Sequence, residues 1–170
     1  MNLKNFIRSI QDYPKKGILF RDITTLIKDK DAFAEAINQI VERSKKYNFN
    51  KIAAIESRGF VFASALAMHF GGGVVCARKE GKTPTAKHTI SYDLEYGSAT
   101  LEMAHVEHLD SSRAVIVDDV LATGGTLQAT NQLAKEVGYE IIDNLVLVDL
   151  QFVPRTENFD LNVKSVITYE

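Results

Sequence analysis

The sequence predicts an α/β fold. Three observations lead there: helical and strand-like apolar patterns alternate along the chain, several strand-like runs are apolar throughout rather than at every second residue, and 170 residues with 45% hydrophobic content suffice for one sizeable core. Strands covered on both faces read as continuous apolar runs, because neither side of the sheet meets water. No repeat and no low-complexity linker divides the chain, so residues 1–170 are read as one domain.

The elements follow in order. Phe33, Ile37, Ile40, Val41 and Tyr47 recur at helical spacing after Asp29 or Asp31, either of which can cap, and Asn48 to Asn50 form a closing turn. Lys51 to Ile55 reads as a short buried strand. Phe60 to Phe70 is apolar almost all round, which predicts a helix packed on both sides, and burial against a second subunit would account for the excess. Gly71 to Gly73 stop it before a strand over Val74 to Ala77, where Cys76 reads as core. Residues 79–105 break the rhythm: charged, Gly and Pro residues precede two strand-like runs, Ile90 to Tyr96 and Ala99 to Met103, turned at Gly97-Ser98. From Arg113 the pattern returns as strand, turn, helix to Gly138, and strand over Ile141 to Leu150.

Residues 115–126, VIVDDVLATGGT, carry the most chemistry. Val115, Ile116 and Val117 are stiff, apolar residues of a strand buried on both faces, and they deliver Asp118 and Asp119 to its carboxyl end, where open α/β sheets bind ligands. From Ala122 to Thr126 the side chains are small, and Gly124 and Gly125 are free to adopt positive φ, so successive backbone N–H groups can turn around an anion. Thr123 and Thr126 add hydroxyl donors, and a helix beginning near Thr126 would point its positive end at the same spot. Two carboxylates beside a phosphate need donors of their own, and vicinal sugar hydroxyls supply them, so a ribose 5-phosphate fits both halves. The plainer alternative is a strand-to-helix turn whose acids cap a helix. The stretch is neither a P-loop, lacking Gly-Lys-Thr, nor a G-x-G-x-x-G dinucleotide site.

The stretch resembles the loop with which type I phosphoribosyltransferases bind 5-phosphoribosyl 1-pyrophosphate (PRPP). YPKKGILFRDIT (13–24), ESRGF (56–60), RKEGKTP (78–84) and YDLEYG (92–97) resemble, in that order, segments of the adenine phosphoribosyltransferases, so the likeness spans nearly the whole chain. GKTP departs from the family's GKLP, which bears on loop packing more than on charge. The resemblance implies a mostly parallel, Rossmann-like sheet flanked by helices, a small base-binding hood over residues 1–25, a flexible β-hairpin flap over 79–105 and the PRPP loop at 115–126. It further implies a homodimer.

The same resemblance assigns roles residue by residue. Phe20, by sequence alone a core residue, matches the aromatic that stacks on adenine, and the backbone of Leu19 and Arg21 matches the positions that read the purine edge. Ser57 and Arg58, otherwise a solvent-facing turn, match the pyrophosphate turn. Arg78, Lys79 and Lys82, otherwise a solvated basic run, face pyrophosphate in the family, with the residue matching Arg78 able to come from the neighbouring subunit. Asp118, Asp119, Ala122, Thr123, Gly124, Gly125 and Thr126 match the PRPP-binding set. Glu95, otherwise a solvated hairpin residue, matches the general acid/base, with Tyr96 positioning beside it. An Asp that related 6-oxopurine enzymes carry in the loop is replaced here by Ala122, so the proton acceptor has to come from elsewhere.

Composition sets bounds on partners. Twenty basic against 22 acidic residues, net charge −2, give no general drive towards nucleic acid. No apolar run is long enough to span a membrane, and MNLKNFIRSI lacks a secretory core, so a cytoplasmic protein is expected. The single Cys76 excludes an internal disulfide. His105 and His108 could share a helical face but have no third ligand at a suggestive spacing, so no metal site of protein ligands is expected. Mg²⁺ is expected as cofactor because pyrophosphate requires charge neutralisation, with PRPP oxygens and water as its main ligands. No Ser/His/Asp or Cys/His set stands out, in keeping with displacement of pyrophosphate by a purine nitrogen, which needs no protein nucleophile. The expected reaction is adenine plus PRPP giving AMP plus pyrophosphate. The alternatives are transfer to another purine and a non-catalytic PRPP-sensing regulator.

Overall fold

The structure is a computed structural model and describes residues 1–84, 86–93, 97–104 and 112–170. A two-stranded antiparallel sheet, β1 (Arg8–Gln11) and β2 (Leu19–Asp22), precedes the main body. Next come α1 (Thr24–Lys28), α2 (Lys30–Ser44), β3 (Lys51–Ile55), α3 (Gly59–Phe70), β4 (Gly73–Lys79), β5 (Ala86–Asp93) and β6 (Ser98–Ala104). The chain then runs through β7 (Arg113–Leu121), α4 (Gly125–Val137), β8 (Glu140–Leu150) and β9 (Val163–Tyr169). The main sheet has seven strands in the order β5-β6-β4-β3-β7-β8-β9, parallel from β4 to β9, with β5 and β6 added antiparallel at one edge.

The apolar runs become central strands because both faces of the sheet are covered. Along β7, Val115 and Val117 belong to the core shared with α1, α2 and α3, while Ala114 and Ile116 belong to the core shared with α4. This is the two-residue period of a strand read against helices on opposite sides. From the adjacent strands β3 and β7 the chain leaves in opposite directions, through α3 to β4 and through α4 to β8. Between them lies the point where the strand order reverses, and the crevice there is where sheets of this kind bind ligands.

Several boundaries differ from the sequence expectation. Asp29 is the cap of α2, its carboxylate accepting from the N–H groups of Asp31 and Ala32, and the helix stops at Ser44, short of Tyr47. β5 is described only to Asp93 rather than Tyr96, and β6 begins at Ser98 rather than Ala99. β7 runs through the two acids to Leu121, because the long partner β8 pairs with it in register there, Asp118 opposite Val146 and Leu121 opposite Asp149. That pairing outweighs the poor strand preference of Asp. Cys76 is exposed instead of buried, since β4 reaches β6 only at Arg78 and Lys79 and its first half lies outside that pairing. The outer side of α3 is likewise uncovered: Val61 and Met68 are exposed, Met68 at 86%, and so is Val74 of β4. β9 and α1 have no counterpart in the sequence reading, and the small first sheet lies within residues 1–25, the segment expected as a hood. Glu95, Tyr96, His105 and His108 lie outside the described residues. Among the described residues, no helix is long and apolar enough to cross a membrane.

Candidate functional site

Two turns meet at the reversal point. The first, Glu56 to Arg58, leaves β3 through a cis Glu56–Ser57 peptide and starts α3 at Gly59. The second, Ala122 to Gly124, leaves β7 and starts α4 at Gly125. The start of α3 packs on β7 closely enough to require glycine: a Cβ on Gly59 would lie 2.9 Å from the Val117 carbonyl oxygen. Gly124 is the left-handed residue of the second turn, at φ +91°, and a Cβ there would lie 2.5 Å from the Phe159 ring. Gly125, expected to share that freedom, is instead the first residue of the helix with no positive φ, so a single left-handed residue makes the bend.

The paired acids are not equivalent. Asp119 is 5% exposed and its Oδ2 lies 2.5 Å from Arg58 Nε. The contact is electrostatic rather than a directed hydrogen bond, since the Oδ2 has no aligned donor. Asp118 is half-buried and lines a cavity of about 80 Å³ with Ala122, Thr123, Gly124 and Thr126, and its Oδ1 accepts from the Asp119 N–H at 2.9 Å. Burial and the neighbouring Asp119 charge push its pKa well above the usual carboxylate range, against the opposing pull of Arg58. The cavity therefore brings the Asp118 carboxyl together with the start of α4 and the Thr123 and Thr126 side chains. Thr126 Oγ1 also lies 3.3 Å from the Tyr92 hydroxyl of β5, so the edge hairpin touches the same corner.

A second, larger cavity of about 510 Å³ adjoins the first and shares Ala122 and Thr123 with it. Its walls include Leu19, Phe20 and Arg21 of β2, Arg58, and Val153. Phe20 is half-buried on this wall rather than in the core, with its ring edge-to-face on Tyr13 at 5.1 Å and the Arg58 guanidinium 5.8 Å above it. Arg58 thus stands between Asp119 at the end of β7 and the Phe20 wall of the larger cavity. The Arg21 side chain is engaged elsewhere, over the Tyr169 ring at 4.1 Å and on the Ser9 hydroxyl, which leaves its backbone to the pocket.

The basic run is held by acids that the sequence reading did not single out. Glu56 pairs with Lys82 Nζ at 3.2 Å and Arg78 Nε at 3.7 Å and accepts from the Lys79 N–H at 2.9 Å. Burial opposes its ionisation, but the Lys79 N–H and Lys82 prevail and hold its pKa below the ordinary value. Glu102, 6% exposed, accepts from the N–H groups of Gly81 and Thr83, which likewise lowers its pKa, and so ties down the turn that carries Lys82. Asp22 anchors the first sheet, accepting from Thr24 Oγ1 at 2.6 Å, Thr24 N–H at 2.9 Å and Arg8 Nε at 3.1 Å. Of these, only Asp22 leaves a sequence signal: the D-x-T spacing of a local side-chain turn. Ser57 sits exposed in the first turn, beside Arg58. Among the described residues, no three His, Cys, Asp or Glu side chains are grouped to hold a metal ion.

Comparisons with known proteins bear on the family and the fold. Residues 23–166 match the phosphoribosyl transferase domain family. The chain is 58% identical over 136 residues, 79% of its length and 77% of the relative's, to an adenine phosphoribosyltransferase of Pelagibacter ubique. Its fold superposes with a TM-score of 0.92 on the crystal structure of adenine phosphoribosyltransferase from Thermoanaerobacter pseudethanolicus, at 40% identity and covering 98% of each chain. The Giardia lamblia enzyme complexed with 9-deazaadenine is similar at a TM-score of 0.91 and 30% identity, covering 99% of this chain and 97% of that one.

Proposed function

The chain belongs to the adenine phosphoribosyltransferase family, making AMP and pyrophosphate from adenine and PRPP, and we propose the following division of labour among its residues. The observation that carries it is the pair of adjoining cavities: one at a helix start lined by Asp118, Thr123 and Thr126, and an apolar one with an aromatic wall, meeting at Ala122 and Thr123. The first takes the phosphate end of the ribose 5-phosphate. Its phosphate lies against the start of α4 and the Thr123 and Thr126 hydroxyls, and the ribose hydroxyls donate to Asp118 and Asp119. The second takes adenine against Phe20, with the backbone at Leu19 and Arg21 reading the purine edge, as 9-deazaadenine bound to the Giardia relative supports.

Arg58, Ser57, Arg78, Lys79 and Lys82 take the pyrophosphate. Arg78 and Lys82 already face a carboxylate, Glu56, and an arriving pyrophosphate competes with it for them. Mg²⁺ fits this site as a passenger on PRPP: the oxygens of Asp118 and Asp119 are hard and close, yet Asp119 is committed to Arg58, so PRPP and water supply most ligands. When bound, the ion neutralises the departing pyrophosphate. Glu95, with Tyr96 positioning it, takes the proton that leaves the purine ring; the likeness of YDLEYG to the family supports this role. The uncovered face of α3 and β4 supports a homodimer. A cytoplasmic location fits phosphorylated substrates and the free Cys76, and fractionation of cells checks it.

Phe20→Ala tests the two-cavity reading. It should raise the adenine KM about ten-fold or more, since one stacked base contributes roughly 1–3 kcal/mol, with a smaller change for PRPP. Loss of thermal stability with a normal adenine KM would return Phe20 to the core.

A further inference from the structure

We propose that Arg155 is a positioning residue for the phosphate cradle, holding the 122–124 turn in its anion-binding conformation from the side away from substrate. The inference rests on the reading of that turn as the site of the 5-phosphate. Arg155 stands in the segment between β8 and β9, which crosses behind the turn. One guanidinium nitrogen donates to the Ala122 carbonyl and to the Leu150 carbonyl at 3.2 Å, and the other donates to the Asp149 carboxylate, which fixes the group at the end of β8. The next residue repeats the grip: the Thr156 N–H donates to the Thr123 carbonyl at 2.8 Å, and Phe159 fills the space beside Gly124 that a Cβ would need.

The consequence follows from peptide geometry. In a trans peptide the C=O and the following N–H point in opposite directions. Drawing the carbonyls of Ala122 and Thr123 back onto Arg155 and the Thr156 amide therefore turns the N–H groups of Thr123 and Gly124 the other way, away from this segment. A turn containing glycine has many conformations of similar energy, and only those with converging N–H groups bind an anion. Arg155 selects among them before substrate arrives, so its contribution appears in PRPP affinity. It does not line the base cavity, whose nearest wall residues are Val153 and Pro154.

The test compares Arg155→Met, Arg155→Lys and Thr123→Val in steady-state kinetics, with calorimetric binding of ribose 5-phosphate and thermal unfolding on each. Arg155→Met keeps an unbranched apolar stem but has no donor. It should raise the PRPP KM about ten-fold and weaken ribose 5-phosphate similarly, with the adenine KM within about two-fold of wild type. Arg155→Lys, which keeps a charged donor, should recover part of the loss. Equal losses for adenine and PRPP, or a fall in thermal stability without a change in ribose 5-phosphate binding, would make Arg155 a general structural residue and overturn the proposal. If Thr123→Val weakens ribose 5-phosphate while Arg155→Met does not, the cradle stands and the proposal fails. If neither variant weakens it, the cradle reading itself fails.

Discussion

At the residue scale, the adjacent acids do unlike work although their identity is the same. Asp119 is already compensated by Arg58, whereas Asp118 holds its proton more tightly than an ordinary carboxyl because of burial and the Asp119 charge. As pH falls through this raised pKa, Asp118 ceases to be a charged acceptor for ribose hydroxyls, so kcat/KM for PRPP should decline at a pH above the ordinary carboxylate range. For the empty chain the sign is opposite: a carboxyl with a raised folded pKa binds its proton better folded than unfolded, so its contribution to stability declines as pH rises from the ordinary value through the raised one. Asp119→Asn should move the acid limb of the PRPP profile to lower pH, and both Asp118→Asn and Asp119→Asn should raise the PRPP KM with an unchanged circular dichroism spectrum. Unchanged kinetics in both variants would remove the ribose assignment. Glu95→Gln addresses the chemistry rather than the binding. It retains size but cannot accept the purine proton, so single-turnover rates should fall roughly 10²–10⁴-fold with little change in PRPP affinity. A chemical step within a few-fold of wild type would place the base elsewhere.

At the element scale, what was legible in the sequence is what is local. The strand, turn and helix over 113–137 are contiguous, and each signal, an apolar run, a left-handed glycine and a helical period, lies within a few residues of the feature it produces. The hydrogen bond from Lys79 to Glu56 spans 23 residues and that from Arg155 to Ala122 spans 33, and nothing in the local pattern of either partner announces the other. β1 and β2 are four residues long and largely exposed or half-buried, too short for a periodicity to register. The largely apolar α3 was legible as a helix needing cover on more than one side, but the chain alone leaves Val61 and Met68 exposed. Met68→Lys with Val61→Asp should therefore convert a dimer into a monomer, as read by sedimentation, because the charges would be buried unpaired in the interface. A monomeric wild type, or a double variant that still dimerises, would remove this face from the assembly.

At the scale of the whole molecule, the candidate site lies where three features of the fold converge. The sheet supplies a reversal point between β3 and β7, the small first sheet lays Phe20 over it, and the segment after β8 closes it from behind. On the proposed reading, base choice rests on backbone groups at Leu19 and Arg21, which would match the donor and acceptor pattern of adenine and leave a 6-oxopurine with mismatched partners; such a mismatch is costly when it is buried. The most direct measurement is transfer from PRPP, with Mg²⁺, to radiolabelled adenine, hypoxanthine and guanine side by side. The account predicts AMP from adenine with kcat/KM at least about a hundred-fold above the other two bases. Comparable turnover of all three, or none with adenine, would contradict it.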